Sequence, residues 1–129
     1  MFEGCANLSA GPKVLPAEGT ATGYSYMFRG CASLVKTPVI KATGADGWQR
    51  MFEGCQSLAD CPEIPAKNLW SQCYYGMFYG CTGLTSFPDH FDEAPWDGFS
   101  YMFSGCTGMK KPPKLNSPSA AGFCYRGMF

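Results

Sequence analysis

Cysteine is the residue type in this chain with the widest chemical range. There are eight of them in 129 residues, against a single histidine, His90. A thiol can serve as a nucleophile, half of a disulfide, a metal ligand or a small buried apolar group. Cys5, Cys31, Cys55, Cys81 and Cys106 share one setting, each closing a Met-Phe-x-Gly-Cys box, while Cys61, Cys73 and Cys124 lie off it. A nucleophilic cysteine needs an imidazole within hydrogen-bond reach, and one histidine cannot serve five equivalent thiols. Structural zinc asks for close Cys-x2–4-Cys pairs, and the chain has none. No catalytic residue, metal site or cofactor is therefore expected.

Disulfides are harder to exclude. Bridges between neighbouring box cysteines would leave one of the five unpaired. Cys73 and Cys124 share a phase two units apart, about 10 Å in a stack of strands, too far to bond each other. Cys55 with Cys61 stays open, and the pairing state of Cys61, Cys73 and Cys124 is not decided by spacing. The acidic stretch Asp89, Asp92, Glu93 and Asp97 has oxygen ligands suited to calcium. It lacks the Asp-x-Asp-x-Asp-Gly order of a dedicated loop and reads as a solvated segment.

The elements that must position these cysteines are set by a repeat. The box begins at Met1, Met27, Met51, Met77 and Met102, and its first two letters return at Met128-Phe129. A period of this size marks stacked units, each burying its apolar face on its neighbours. With the Met at phase zero, +1 holds Phe2, Phe28, Phe52, Phe78, Phe103 and Phe129, and +3 holds Gly4, Gly30, Gly54, Gly80 and Gly105. The cysteines occupy +4, and Leu8, Leu34, Leu58, Leu84 and Met109 occupy +7. Pro12, Pro38, Pro62, Pro88 and Pro113 fall at +11, and an aromatic stands at −3: Tyr24, Trp48, Tyr74, Phe99 and Tyr125.

The offsets −3, 0, +1, +4 and +7 have helical spacing. They predict a helix of two to three turns with Phe, Cys and Leu inward as structural ladders. Glycine at +3 costs such a helix about 1 kcal/mol against alanine, which suggests a steric reason for its recurrence. The chain must leave the helix before the proline. An extended segment follows to about +14, with a looser apolar column at +13 made of Val14, Ile40, Ile64, His90 and Leu115. Residues 1–129 thus read as one repeat domain, and since neither end looks like a polar capping unit, as a fragment of a longer array.

Ten basic and ten acidic residues balance to zero. That argues against nucleic acid, which needs a basic stripe, and against a polybasic membrane contact. No apolar run is long enough to span a bilayer, and no signal peptide opens the chain. The functional candidates are instead aromatics off the inward stripe: Trp70, Trp96, Tyr79, Tyr75, Tyr26 and Tyr101. Rings exposed beside polar loops anchor protein partners or stack on sugars. Trp70 and Trp96 sit in corresponding loops, and Tyr79 at +2 stands where other units carry Glu3, Arg29, Glu53 and Ser104.

The columns Tyr-x-x-Met-Phe-x-Gly-Cys-x-x-Leu-x-x-x-Pro resemble the repeats of BspA-type bacterial surface proteins. The likeness is to the subclass of roughly 26 residues common in gut and oral bacteria and in mycoplasma lipoproteins. The unit Met51-Phe-Glu-Gly-Cys-Gln-Ser-Leu followed by Cys61-Pro-Glu-Ile-Pro-Ala fits best. Units two, four and five depart at Val39-Ile40-Lys41-Ala42, Asp89-His90-Phe91 and Met109. The resemblance implies an α/β leucine-rich-repeat-like, right-handed solenoid of about five coils, each a short helix plus a short strand. It implies a secreted or surface-anchored, non-enzymatic adhesion module binding a protein or glycan on another cell, matrix or host, and stacking on further repeats of the same chain. Similar repeats in phage proteins imply the alternative, a structural spacer or virion component without its own ligand.

Overall fold

The computed structural model describes residues 1–16, 23–41, 47–63, 71–87, 96–115 and 122–129, together with the backbone of 90–91. The predicted helix does not form. Among the described residues there is no helix, and the regular strands are four two-residue pieces: β1 Val14–Leu15, β2 Val39–Ile40, β3 His90–Phe91 and β4 Lys114–Leu115. The α/β leucine-rich-repeat-like solenoid with a helix and a strand in every coil is therefore not the fold of this chain.

The reason lies in two positions of the box. In unit three, Arg50 at −1 has φ 50° and Gly54 at +3 has φ 73°, the left-handed region, where an α-helix requires about −63°. Each is the third residue of a β-turn. Met51 N–H donates to the Trp48 carbonyl at 3.2 Å, and Cys55 N–H donates to the Phe52 carbonyl at 3.1 Å. Positive φ at that turn position is the type II requirement. Glu53 N–H to the Arg50 carbonyl (3.2 Å) and Leu58 N–H to the Cys55 carbonyl (3.2 Å) interleave with them. Every internal bond spans three residues, where a helix would span four.

The remaining donors leave the unit. Arg50, Phe52 and Gly54 N–H donate to the carbonyls of Tyr75, Met77 and Tyr79 at 3.0, 2.9 and 2.8 Å. The same bond joins Phe2 to Met27, Phe28 to Met51, Phe78 to Met102 and Phe103 to Met128, all within 2.8–3.0 Å. Beyond the box several donors point to the preceding unit, as Ser33 to Ala6 and Ser57 to Ala32, both 3.0 Å, while Cys61 N–H points to Ser86 of the following unit, also at 3.0 Å. Neighbouring units therefore lie parallel and in register. β1 pairs with β2 and β3 with β4, also in parallel, and isolated bridges join Ala10 to Lys36 and Asp60 to Ser86.

The strand register corrects one column. Leu15, not Val14, stands opposite Ile40, and Phe91, not His90, stands opposite Leu115. Leu15 is buried while Val14 is exposed. Ile64 lies outside the described residues.

The core is a line of stacked side chains. Phe2, Phe28, Phe52, Phe78 and Phe103 stack with centroids 5.4, 5.5, 5.5 and 5.8 Å apart, the planes within 11° of parallel. Phe129 continues the series at 6.3 Å from Phe103. Tyr24, Trp48, Tyr74, Phe99 and Tyr125 form a second aromatic line, edge-on at Trp48 and stacked from Tyr74 onward. Leu34, Leu58 and Leu84 are fully buried; Phe2 and Leu8, in the first unit, are only partly so.

Candidate functional site

All eight cysteines are free thiols. Cys31, Cys55, Cys81 and Cys106 are buried and share one geometry. Each Sγ–H donates to the carbonyl of the Phe one unit earlier: Cys31 to Phe2, Cys55 to Phe28, Cys81 to Phe52 and Cys106 to Phe78, at 3.0–3.1 Å. Each of those carbonyls also accepts the N–H of its own unit's cysteine, so both lone pairs are used. Burial is the main cause that pushes the Cys55 thiol up to about 12 and Cys106 up to about 11, and it raises Cys31 and Cys81 as well. At neutral pH these are protonated donors rather than thiolates. Cys5, in the first box, is exposed. Among the described residues no group of three or more His, Cys, Asp or Glu could hold a metal, and no helix is long and apolar enough to cross a membrane.

The concave feature of the surface lies on the turn that precedes the box. An open groove with a cavity volume of about 620 Å³ is lined by Tyr26, Arg29, Gln49, Arg50, Gln72, Tyr75, Asp97, Tyr101 and Arg126. These come from successive units at phases −5, −2, −1 and +2, so the repeat assembles the groove one unit at a time. Phase −1 varies in size, running Tyr26, Arg50, Gly76, Tyr101 and Gly127. The Arg50 stem lies over Gly76, where an added Cβ would be 3.3 Å from Arg50 Cγ. The Tyr101 ring lies over Gly127, where an added Cβ would be 2.6 Å from Cε1. At these two steps a large side chain in one unit rests on the bare backbone of the next.

Charge is distributed unevenly along the groove. Arg29 pairs with Glu3 and Glu53, both at 3.2 Å, and Arg50 pairs with Glu53 at 3.1 Å. Burial alone would lower the Arg50 pKa; the Glu53 carboxylate and Tyr75 outweigh it, and the net shift is upward. The guanidinium of Arg50 also sits 5.5 Å from the Tyr75 ring centre, and Arg29 sits 5.7 Å from Tyr26, both cation–π geometry. Asp97 accepts hydrogen bonds from Gln72 Nε2 at 2.9 Å and from the buried Ser100 hydroxyl. Arg126 faces the Phe123 ring at 5.9 Å and has no carboxylate within ion-pair distance among the described residues.

Of the aromatics singled out from sequence, Tyr26, Tyr75 and Tyr101 come together in this groove, with Tyr75 and Tyr101 edge-to-face at 5.5 Å. Tyr79 is exposed but is not part of the lining. Trp96 is exposed and packs edge-on against the exposed Phe123 at 5.6 Å. Trp70 lies outside the described residues, so its alignment with Trp96 is not described either. The groove's polar half, Gln49, Arg50, Gln72, Asp97 and Arg126, was not singled out as one site. The available signal was positional: all five stand at −1, −2 or −5, outside the apolar columns.

The backbone marks the same edge. Among the described residues, six non-glycine residues have φ between 50° and 61°: Tyr26, Arg50, Gln72, Asp97, Tyr101 and Phe123. The first five line the groove, and Phe123 adjoins it through Arg126. A scan against protein-family models and searches of curated proteins and of solved structures return no match.

Proposed function

We propose that this chain is a non-catalytic binding module that presents its grooved edge to a protein or glycan partner outside the cell. The observation that carries the reading is the coincidence of strain with the groove. Among the described residues, five of the six non-glycine residues in the left-handed region line one groove. Such residues cost about 1–3 kcal/mol each and collect where the side chain serves a purpose the fold alone does not require. Glycine would relieve the backbone at every one of these positions, as it does at Gly76 and Gly127. Tyr and Arg, the types that dominate binding hot spots, stand at Tyr26, Arg50 and Tyr101 instead.

A structural spacer or virion component without its own ligand is the competing reading. One observation favours it: Glu3, Arg29, Glu53 and Arg50 form a continuous chain of ion pairs between units, so part of the edge is satisfied internally. Retention of the labelled chain on a panel of immobilised matrix proteins and glycans separates the two. The binding reading expects specific retention that a Tyr26→Ala, Tyr75→Ala, Tyr101→Ala variant loses while its melting transition stays cooperative. A wild-type chain retained by nothing on the panel leaves the spacer.

A further inference from the structure

We infer that the groove is built for an anionic oligosaccharide, with the charged sugar at the Arg126 end and uncharged sugars running along Tyr101 and Tyr75. The inference rests on the binding-module reading above and names its ligand class.

Three observations lead there. The first concerns what the backbone can offer. A peptide that binds by adding a strand needs unpaired N–H groups. On this edge the N–H groups of Tyr26, Arg50, Gln72, Asp97 and Tyr101 already donate to the carbonyls of Gln49, Tyr75, Trp96, Gly122 and Arg126, at 2.9–3.2 Å. Recognition must therefore come from side chains alone.

The second concerns which side chains are present. Gln72 and Asp97 supply donors and acceptors suited to hydroxyl groups, and the half-buried rings of Tyr75 and Tyr101 supply flat faces with polar tips. A pyranose, with one hydrocarbon face and a rim of hydroxyls, matches that pairing. An extended sugar chain can also run along an edge whose side chains repeat from unit to unit.

The third concerns charge. Arg29 and Arg50 are neutralised by Glu3 and Glu53, and the charges that remain in the groove are the Asp97 carboxylate, which accepts hydrogen bonds from Gln72 and Ser100, and Arg126. Arg126 has no such partner among the described residues and stands beside the exposed aromatic pair Phe123 and Trp96. A guanidinium binds carboxylate and sulfate alike through its planar fork. The aromatic pair next to it gives the ring bearing that anion a surface to rest on.

The test is calorimetric titration of the folded chain with hexasaccharides of three kinds: a uronic-acid-containing one, a sulfated one and a neutral β-linked one. At least one anionic hexasaccharide should bind about 10- to 100-fold more tightly than the neutral one, the size of a charge-assisted hydrogen-bond contact. The better of the two anionic probes identifies carboxylate or sulfate as the group. Arg126→Gln should bring the anionic sugar down to the neutral value. Trp96→Ala and Tyr75→Ala should weaken both kinds. Arg126 is exposed, so its replacement leaves the core intact. Equal binding of the neutral sugar, an unchanged affinity in Arg126→Gln, or equally effective competition by a glutamate hexapeptide overturns the inference. If a matrix protein is retained through the groove and no hexasaccharide binds, only the ligand class falls. If nothing binds, the binding reading falls with it.

Discussion

At Gly54 the backbone φ is 73°, and four residues earlier, at Arg50, it is 50°. Both are third residues of β-turns in the same unit, yet the chain fills them differently. The inner turn carries glycine in every unit: Gly4, Gly30, Gly54, Gly80 and Gly105. Space is not the cause. An added Cβ on Gly4 or Gly80 would meet nothing within 4 Å, and on Gly30, Gly54 or Gly105 the nearest atom would be 3.4–3.8 Å away. Conformation alone excludes other residues there, at about 1–2 kcal/mol each. The outer turn accepts that same cost at Tyr26, Arg50 and Tyr101. The inner turn holds the one residue that adopts this conformation without penalty; the outer turn holds residues for which it is costly.

The sharpest way to break this comparison is in the inner column. Phe52 is fully buried between Phe28 and Phe78, and Phe52→Ala should cost about 3–5 kcal/mol in denaturant unfolding. Phe129, exposed at the end of the stack, should cost far less when truncated. Equal costs would mean that the rings do not act as a stacked line.

The thiols come next. A Cys55 thiol raised to about 12 when folded, from about 9 when unfolded, binds its proton more tightly in the native state. Its contribution is complete below pH 9 and is lost progressively from pH 9 to about 12, at about 1.4 kcal/mol per pH unit. Cys106 adds a narrower window, from 9 to about 11. Unfolding measured from pH 7 to 11 should show this alkaline fall, and Cys55→Ser should flatten it while keeping a donor for the Phe28 carbonyl. Iodoacetamide at pH 8 should label Cys5 rapidly, and the six buried cysteines only on unfolding.

Smaller effects compare the two turns directly. Gly54→Ala should cost about 1–2 kcal/mol, whereas Tyr101→Gly should be neutral or stabilising by up to about 1 kcal/mol. Matched losses in both would show that Tyr101 is held for packing rather than for the groove. Smallest of all should be Glu53→Gln. It removes two partly exposed ion pairs worth at most about 1 kcal/mol together, yet it frees Arg50, with Arg29 still held by Glu3, and should raise the affinity of any anionic ligand.

How the sequence is read shows in the same residues. The period picked out Phe28, Phe52 and Phe78 as one column and Cys31, Cys55 and Cys81 as another, and those side chains are stacked and buried. It misassigned the local structure, because turns linked every four residues place their inward side chains at nearly the spacing of a helix. Gly54 held the deciding clue: a glycine fixed at one phase can signal positive φ as readily as close packing. At −1 the clue is only partial, since glycine stands there at Gly76 and Gly127 but not in the other units. Arg50 and Tyr101 are poor choices for the left-handed region, and only the backbone reveals that they occupy it. The groove stayed illegible for a further reason. Gln49 and Gln72 are unremarkable alone and acquire a role only when neighbouring units set them side by side.

The alternation of donors has a consequence for how such a chain changes over generations. Phe52 gives its N–H to Met77 just as Phe28 gives its own to Met51, and Cys55 and Cys81 each supply an S–H to the unit before. A unit therefore needs from its neighbours what every other unit can provide. Duplicating or deleting a whole period in the gene leaves no donor stranded at the joint, whereas losing two or three residues inside the box would. Array length is then a property that recombination can adjust in whole steps, and each added step lengthens the groove by one more variable set of side chains.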